Sequence, residues 1–196
     1  MAVLEKKEYP LGECEIKFTP KDTSSPVVVA LTAKDSDCIF SCTTETYKYE
    51  VDQLSGPYKT RVLPGETTLK CSIWADLEIL SALTNVFEKG KTGYAFSTNG
   101  KEMQEGKLEI HPLSEGTKKD FDIMGPKVFV EVDTNFSFKV DGQAKCDLTF
   151  EFAADENPES PTYRKLFTIG QYAPNNLSLA NLSEIVSDQN KDKIKA

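Results

Sequence analysis

The sequence predicts a mainly β fold: an antiparallel β-sandwich or partial barrel flanked by one α-helix. Three observations carry this. First, Val128, Val130, Val132, Phe136, Phe138 and Val140 place an apolar residue at every second position, against Glu131, Asp133, Asn135, Ser137 and Lys139. The pattern resumes with Cys146, Leu148, Phe150 and Phe152, set against Lys145, Asp147, Thr149 and Glu151. A period of two sends the two sets to opposite faces of a pleated sheet. Second, Asp141-Gly142 lies between these runs and supplies the positive-φ residues of a tight hairpin turn. The product is a long antiparallel ribbon with one apolar face and one polar, mostly acidic face. Third, helical periodicity is convincing in one place only, between strand-like segments.

The elements follow in order. Gly12 to Thr19 and Val27 to Ala33 read as strands split by the turn Pro20 to Pro26. Cys38 to Asp52 is a longer strand, with Tyr47, Tyr49 and Val51 on one parity and Thr44, Thr46, Lys48, Glu50 and Asp52 on the other. Gln53 to Gly65 is rich in Gly, Pro and Ser and reads as a long exposed loop. Glu66 to Trp74 returns as a strand with Leu69, Cys71 and Ile73 inward. Leu77, Leu80, Leu83, Val86 and Phe87 then recur at helical spacing, with Asp76 placed to cap the helix and Gly90 to stop it. Such a helix covers one end or face of the sheet. Gly93 to Ser97, Lys107 to Leu113 and Lys119 to Met124 are short strands. After the ribbon come an acidic turn, Asp155 to Pro161, and a last strand, Arg164 to Ile169. The domain is expected to span residues 1–170. Residues 171–196 form a polar C-terminal extension in which Leu182, Ile185 and Val186 make only a weak helical stripe.

A chain of 196 residues can bury a real core as one domain. Its net charge of -8, with no clustered Lys and Arg, argues against a general nucleic-acid binder. The longest apolar stretch, Val27 to Leu31, is far too short for a bilayer, so no membrane is expected as a partner. Glu5, Lys6, Lys7 and Glu8 stand where a signal peptide would need an apolar core, which places the start of the chain in a cytoplasm. The cysteines Cys14, Cys38, Cys42, Cys71 and Cys146 are odd in number, and several share the apolar parity of strands. They read as buried reduced thiols.

Chemistry-bearing motifs are sparse. His111, the one histidine, has no partner that sequence can assign for a triad or a zinc site, and reads as structural. Gly90-Lys91-Thr92 resembles the end of a phosphate loop, but Asn85 holds the position of the first glycine and the helix precedes the motif. Asp133-Thr134-Asn135-Phe136-Ser137 has calcium-loop spacing without the turn glycine, inside a strand. Asp120 and Asp122 could serve glycoside chemistry, yet neighbouring aspartates on one strand face are ordinary. Asn135, Asn176 and Asn181 open glycosylation sequons that mean little without a secretory signal. No catalytic set, metal site or cofactor is expected, and the chain does not read as an enzyme.

One resemblance covers most of residues 11–170. Val51-Asp52-Gln53, then Gly56-Pro57, Arg61, Gly65 and Glu66, leading to Ala75-Asp76-Leu77-Glu78-Ile79-Leu80, resembles the major tail tube proteins of long-tailed bacteriophages. Gly12 to Phe18, Leu108-Glu109-Ile110-His111-Pro112-Leu113 and Leu166-Phe167-Thr168-Ile169-Gly170 match in the same order. The resemblance implies a β-sandwich with a flanking helix whose hexameric rings stack into the virion tail tube, the conduit for DNA ejection. It implies self-assembly in the host cytoplasm, other tail proteins (terminator, tape measure, baseplate) as partners, and non-specific passage of DNA. On this reading Gln53, Ser55, Gly56, Pro57 and Arg61 belong to a loop that contacts the adjacent ring. The polar ribbon residues Glu131, Asp133, Asp147 and Glu151 line the lumen, where an anionic wall repels the duplex. Alternatives are a related ring former, such as a tail terminator, distal tail protein, baseplate hub or type VI-like tube, and a carbohydrate-binding sandwich resting on Trp74, Tyr47 and Tyr49.

Overall fold

The computed structural model describes residues 12–29, 38–50, 57–135 and 144–173. Ten strands and one helix follow in the order β1 (Cys14–Pro20), β2 (Val27–Val28), β3 (Ile39–Glu50), β4 (Pro57–Trp74), α1 (Leu77–Leu83), β5 (Phe87–Lys89), β6 (Tyr94–Phe96), β7 (Gln104–Pro112), β8 (Ile123–Asn135), β9 (Lys145–Ala153) and β10 (Thr168–Ile169). All pairings between these strands are antiparallel. The main sheet runs β2-β1-β7-β8-β9-β4-β3, with β10 on β8, and β5-β6 is a separate hairpin. The mainly β architecture with one helix is therefore as the sequence predicts.

The main sheet curls onto its apolar face. Strands β1 and β9 are three positions apart, which in a flat sheet separates them by about 14 Å. Yet the Phe18 and Phe150 rings meet with centroids 6.0 Å apart. Cys14 on β1 and Cys38, just before β3, belong to opposite ends of the strand path, and their sulfurs lie 3.9 Å apart. The sheet is thus a partial barrel, its interior filled by side chains of alternate residues. Ile16, Phe18, Leu69, Cys71, Ile73, Leu108, Ile110, Val128, Val130, Cys146, Leu148, Phe150 and Phe152 form that core. In β4, β8 and β9 these are the residues whose parity the sequence predicts to be inward.

Helix α1 closes the apolar face. Asp76 Oδ1 accepts from the Glu78 and Ile79 amides at 2.8 and 3.3 Å, satisfying donors that the first turn leaves open. Leu80 and Leu83 are fully buried against β1, β2 and β8. The helix stops at Leu83, short of the predicted Phe87, because Thr84 is already extended (φ -137, ψ 135). Thr84-Asn85-Val86 is a run of poor helix formers. Phe87 instead stacks on Tyr94 across the β5-β6 hairpin, with ring centroids 5.5 Å apart.

Other boundaries move for local reasons. The expected strand Lys119 to Met124 is reduced to the first two residues of β8, since Asp122 turns inward to a side-chain partner. The expected strand Arg164 to Ile169 is reduced to β10. Arg164 adopts φ 60, which no strand tolerates. Of the cysteines, Cys71 and Cys146 are buried, Cys14 and Cys38 are half-buried, and Cys42 is exposed, against expectation; all are free thiols. The hairpin at Asp141-Gly142, most of the expected strand Val27 to Ala33, and the extension beyond residue 173 lie outside the described residues.

Candidate assembly surface

Strand β4 is eighteen residues long, and only part of it belongs to the barrel. Thr68 to Trp74 pair with β9 on one side, whereas Pro57 to Thr67 pair with β3 alone. The joint is a β-bulge between Cys42 and Thr44. Gly65 sits against it so closely that a Cβ there would lie 2.5 Å from Thr43 Oγ1. Bulges bend and twist the strand that carries them. Beyond this one, Thr44 to Glu50 and Pro57 to Pro64 continue as a two-stranded arm, roughly 20 Å long at the usual rise per residue.

This corrects the expected loop from Gln53 to Gly65. Pro57 and Arg61 stand in β4, with Arg61 opposite Tyr47; Gln53, Ser55 and Gly56 lie outside the described residues. Pro64-Gly65, at the end of that stretch, marks the bulge. A proline is tolerated there because β4 has no neighbour on its second side at that point. Register puts Glu45, Tyr47 and Tyr49 on one arm face with Leu63, Arg61 and Lys59. The Tyr47 and Tyr49 rings touch edge to face, 4.8 Å apart. Thr46 and Val62 oppose each other on the other face. Tyr47 (56% exposed) and Val62 (62%) are among the most exposed large apolar side chains described.

The outward face of β8, β9 and β4 carries the four predicted carboxylates. Glu131, Asp133, Asp147 and Glu151 are all exposed, and Asp133 lies directly opposite Asp147 across the β8-β9 ladder. Like charges so placed repel; the Ser72 hydroxyl donates to Asp147 from the β4 side. The face is less acidic than the ribbon alone implied. Strand β4 inserts Lys70 opposite Thr149, while Lys127 and Lys145 flank the carboxylates. Lys145 Nζ lies 5.1 Å above the Trp74 ring, and Lys127 bonds Glu156 at 2.8 Å.

His111 is tied down on β7. Its Nδ1 lies 2.6 Å from Asp122 Oδ1, and its Nε2 lies 2.8 Å from the Gly116 carbonyl oxygen. A carbonyl only accepts, so Nε2 carries a proton, and Nδ1 faces the Asp122 carboxyl. The Asp122 hydrogen bond first, and that to Gly116 next, raise the His111 pKa above the ordinary value. Asp122, almost fully buried, is thereby a clamp, and its backbone carbonyl accepts from Gly170 at 2.8 Å. This is not the carboxylate pair with Asp120 that glycoside chemistry would need.

A cleft of about 860 Å³ opens where residues 155–172 cross the outer side of β1, β7 and β8. Two of its carboxylates are held in ion pairs, Glu105 by Lys21 at 3.0 Å and Glu109 by Lys119 at 3.2 Å. Among the described residues no cluster of His, Cys, Asp and Glu could hold a metal ion, and no helix is long and apolar enough to cross a membrane.

No family model matches this chain, and no curated protein does. Among solved structures it is similar to the sheath/tube terminator of an extracellular contractile injection system, PVC, in the extended state. That match has 11% identity and a TM-score of 0.39, covering 75% of this chain and 94% of that one. It is similar to a chain of the same system's sheath-tube complex at 14% identity and a TM-score of 0.38, covering 74% and 88%. It is also similar to the tube-terminating cap of the anti-feeding prophage at 13% identity and a TM-score of 0.40, covering 88% and 100%. Likeness at this level carries no argument about function.

Proposed function

We propose that this chain is a non-catalytic, ring-forming structural subunit of a tail-like tube, whose copies join through the β3-β4 arm. The arm is the observation that carries the reading. A two-stranded ribbon alone in water is marginally stable, and unpaired strand edges invite association. This arm has both edges open beyond the bulge among the described residues, and it displays Tyr47, Tyr49, Val62 and Leu63 to solvent. A second copy laid along it supplies both the missing ladder and the missing apolar contact. The ordered resemblance of residues 11–170 to tail tube proteins names the kind of ring.

On this reading the outward face of β8, β9 and β4 becomes the inner wall, with Glu131, Asp133, Asp147 and Glu151 repeated around the lumen and Lys70 and Lys145 tempering the charge. The chain stands either in the stacked body of the tube or as the ring that terminates it, in a phage tail or a related injection particle. Neighbouring tail proteins are its partners, and DNA or another cargo passes without specific contact. Negative-stain microscopy of the purified chain separates the two positions: stacked tubes for the body, single rings for the terminator. The double variant Tyr47→Glu, Val62→Glu touches exposed side chains only, so it should fold normally and remain monomeric. Rings formed equally well by that variant would remove the arm from the assembly.

A further inference from the structure

We propose that Cys14 and Cys38 are a disulfide-forming pair that covalently closes the barrel when the protein meets an oxidising medium. The two residues come from opposite ends of the sheet path, at the start of β1 and just ahead of β3, and no backbone ladder joins β2 to β3 among the described residues. Across this seam the two sulfurs stand 3.9 Å apart. A disulfide needs them closer by about 1.9 Å, a distance that side-chain rotation and a small relaxation of an open seam can supply. Twenty-four positions separate the two residues, so the bond would also restrict the unfolded chain substantially.

The environment keeps the pair reduced until an oxidant arrives. Cys14 donates to Cys38, and this bond together with burial holds the Cys14 thiol far above its ordinary range. For Cys38 the Cys14 bond acts to lower the pKa. The bond to Cys71 and burial outweigh it and push the value up to about 12. Thiolate is the attacking form, so exchange is slow at neutral pH and faster in mild alkali.

The chemistry balances with a low-molecular-weight disulfide such as oxidised glutathione. One cysteine loses its proton and attacks the reagent's sulfur–sulfur bond, expelling one glutathione thiolate. The second cysteine, also deprotonated, attacks the mixed disulfide and expels the other. Two protein thiols are oxidised, one reagent disulfide is reduced to two thiols, and the two protons end on those thiols. This inference is independent of the ring-forming role.

The test equilibrates the full chain with oxidised glutathione at pH 8.5 and maps its disulfides by peptide mass spectrometry. The expected product links Cys14 to Cys38, is reversed by dithiothreitol, and raises Tm by about 10 °C. Cys71→Ser should keep the link, and Cys14→Ser should lose both link and Tm gain. Exposed Cys42 serves as the internal control, since it should take up glutathione as a mixed disulfide in every sample. A Cys38–Cys71 link, or glutathione adducts on Cys14 and Cys38 without a cross-link, would overturn the proposal. So would an unchanged Cys14 and Cys38 in a sample whose Cys42 has reacted. The wild-type map decides the matter even if a variant fails to fold.

Discussion

Gly106→Ala tests the close approach of β1 to β7. Gly106 on β7 points into the core just before the register shift that pairs Gly106 with Val128 and Leu108 with Gly125. A methyl group there would lie 2.4 Å from the Thr19 carbonyl oxygen and 2.5 Å from Phe18 Cζ. Ordinary carbon–oxygen contact is about 3.3 Å, so roughly 0.9 Å must be found. Thr19 is fixed in the β1-β7 ladder, and Phe18 is fully buried against Phe150, so neither can retreat cheaply. Overpacking of this kind costs about 1–3 kcal/mol, and a clash with backbone belongs at the upper end. At about 2–4 °C per kcal/mol for a domain of this size, Tm should fall by roughly 6–12 °C. Gly100→Ala is the matched control: nothing lies within 4 Å of its added Cβ, and Tm should hold within about 2 °C. Thermal melts by circular dichroism suffice. Equal shifts for the two variants would refute the close approach of β1 to β7 at Gly106.

Leu83→Ala, at a fully buried site under α1, should cost about 2–5 kcal/mol in urea unfolding, whereas Leu77→Ala, 41% exposed, should cost less than about 1 kcal/mol. A small loss at Leu83 would mean that the helix stripe faces elsewhere. His111 has its pKa raised in the folded state, chiefly by Asp122. Its stabilisation is fully present below the unfolded value of about 6.5 and is lost as pH rises through the folded value. The urea midpoint should therefore decline more steeply in mild alkali for wild type than for His111→Gln; parallel pH profiles would mean that the imidazolium contributes nothing.

The legible part of this fold was its parity. Val128 to Val132 and Cys146 to Phe152 fall on the core side because alternation is a local property of the chain. Asp76 as cap, and Leu80 and Leu83 as the buried stripe, were equally local. The arm was not, because Pro64-Gly65 serves a loop and a bulge equally well. Only the ladder with β3 distinguishes them, from Thr44–Pro64 to Glu50–Pro57. Lys70 among the carboxylates was invisible for a related reason: its neighbour across the ladder, Thr149, is far away in sequence. The pairing of His111 with Asp122, and the meeting of Cys14 with Cys38, depend on the register and curl of the whole sheet, which no window of sequence contains. The parity of Asp120 and Asp122 could hint that both face one way, but only the fold shows Asp122 buried and engaged.

The central claim is that this chain builds rings through its β3-β4 arm with the β8-β9-β4 face inside. Cryo-electron microscopy of the purified full chain, over a range of concentrations up to those that drive assembly, tests it most directly. The account predicts rings or tubes in which each arm lies along a neighbouring copy, Tyr47 and Val62 are covered, and Glu131, Asp133, Asp147 and Glu151 face the central channel. Monomers at every concentration, or an assembly with free arms and those carboxylates on its outer wall, would contradict it.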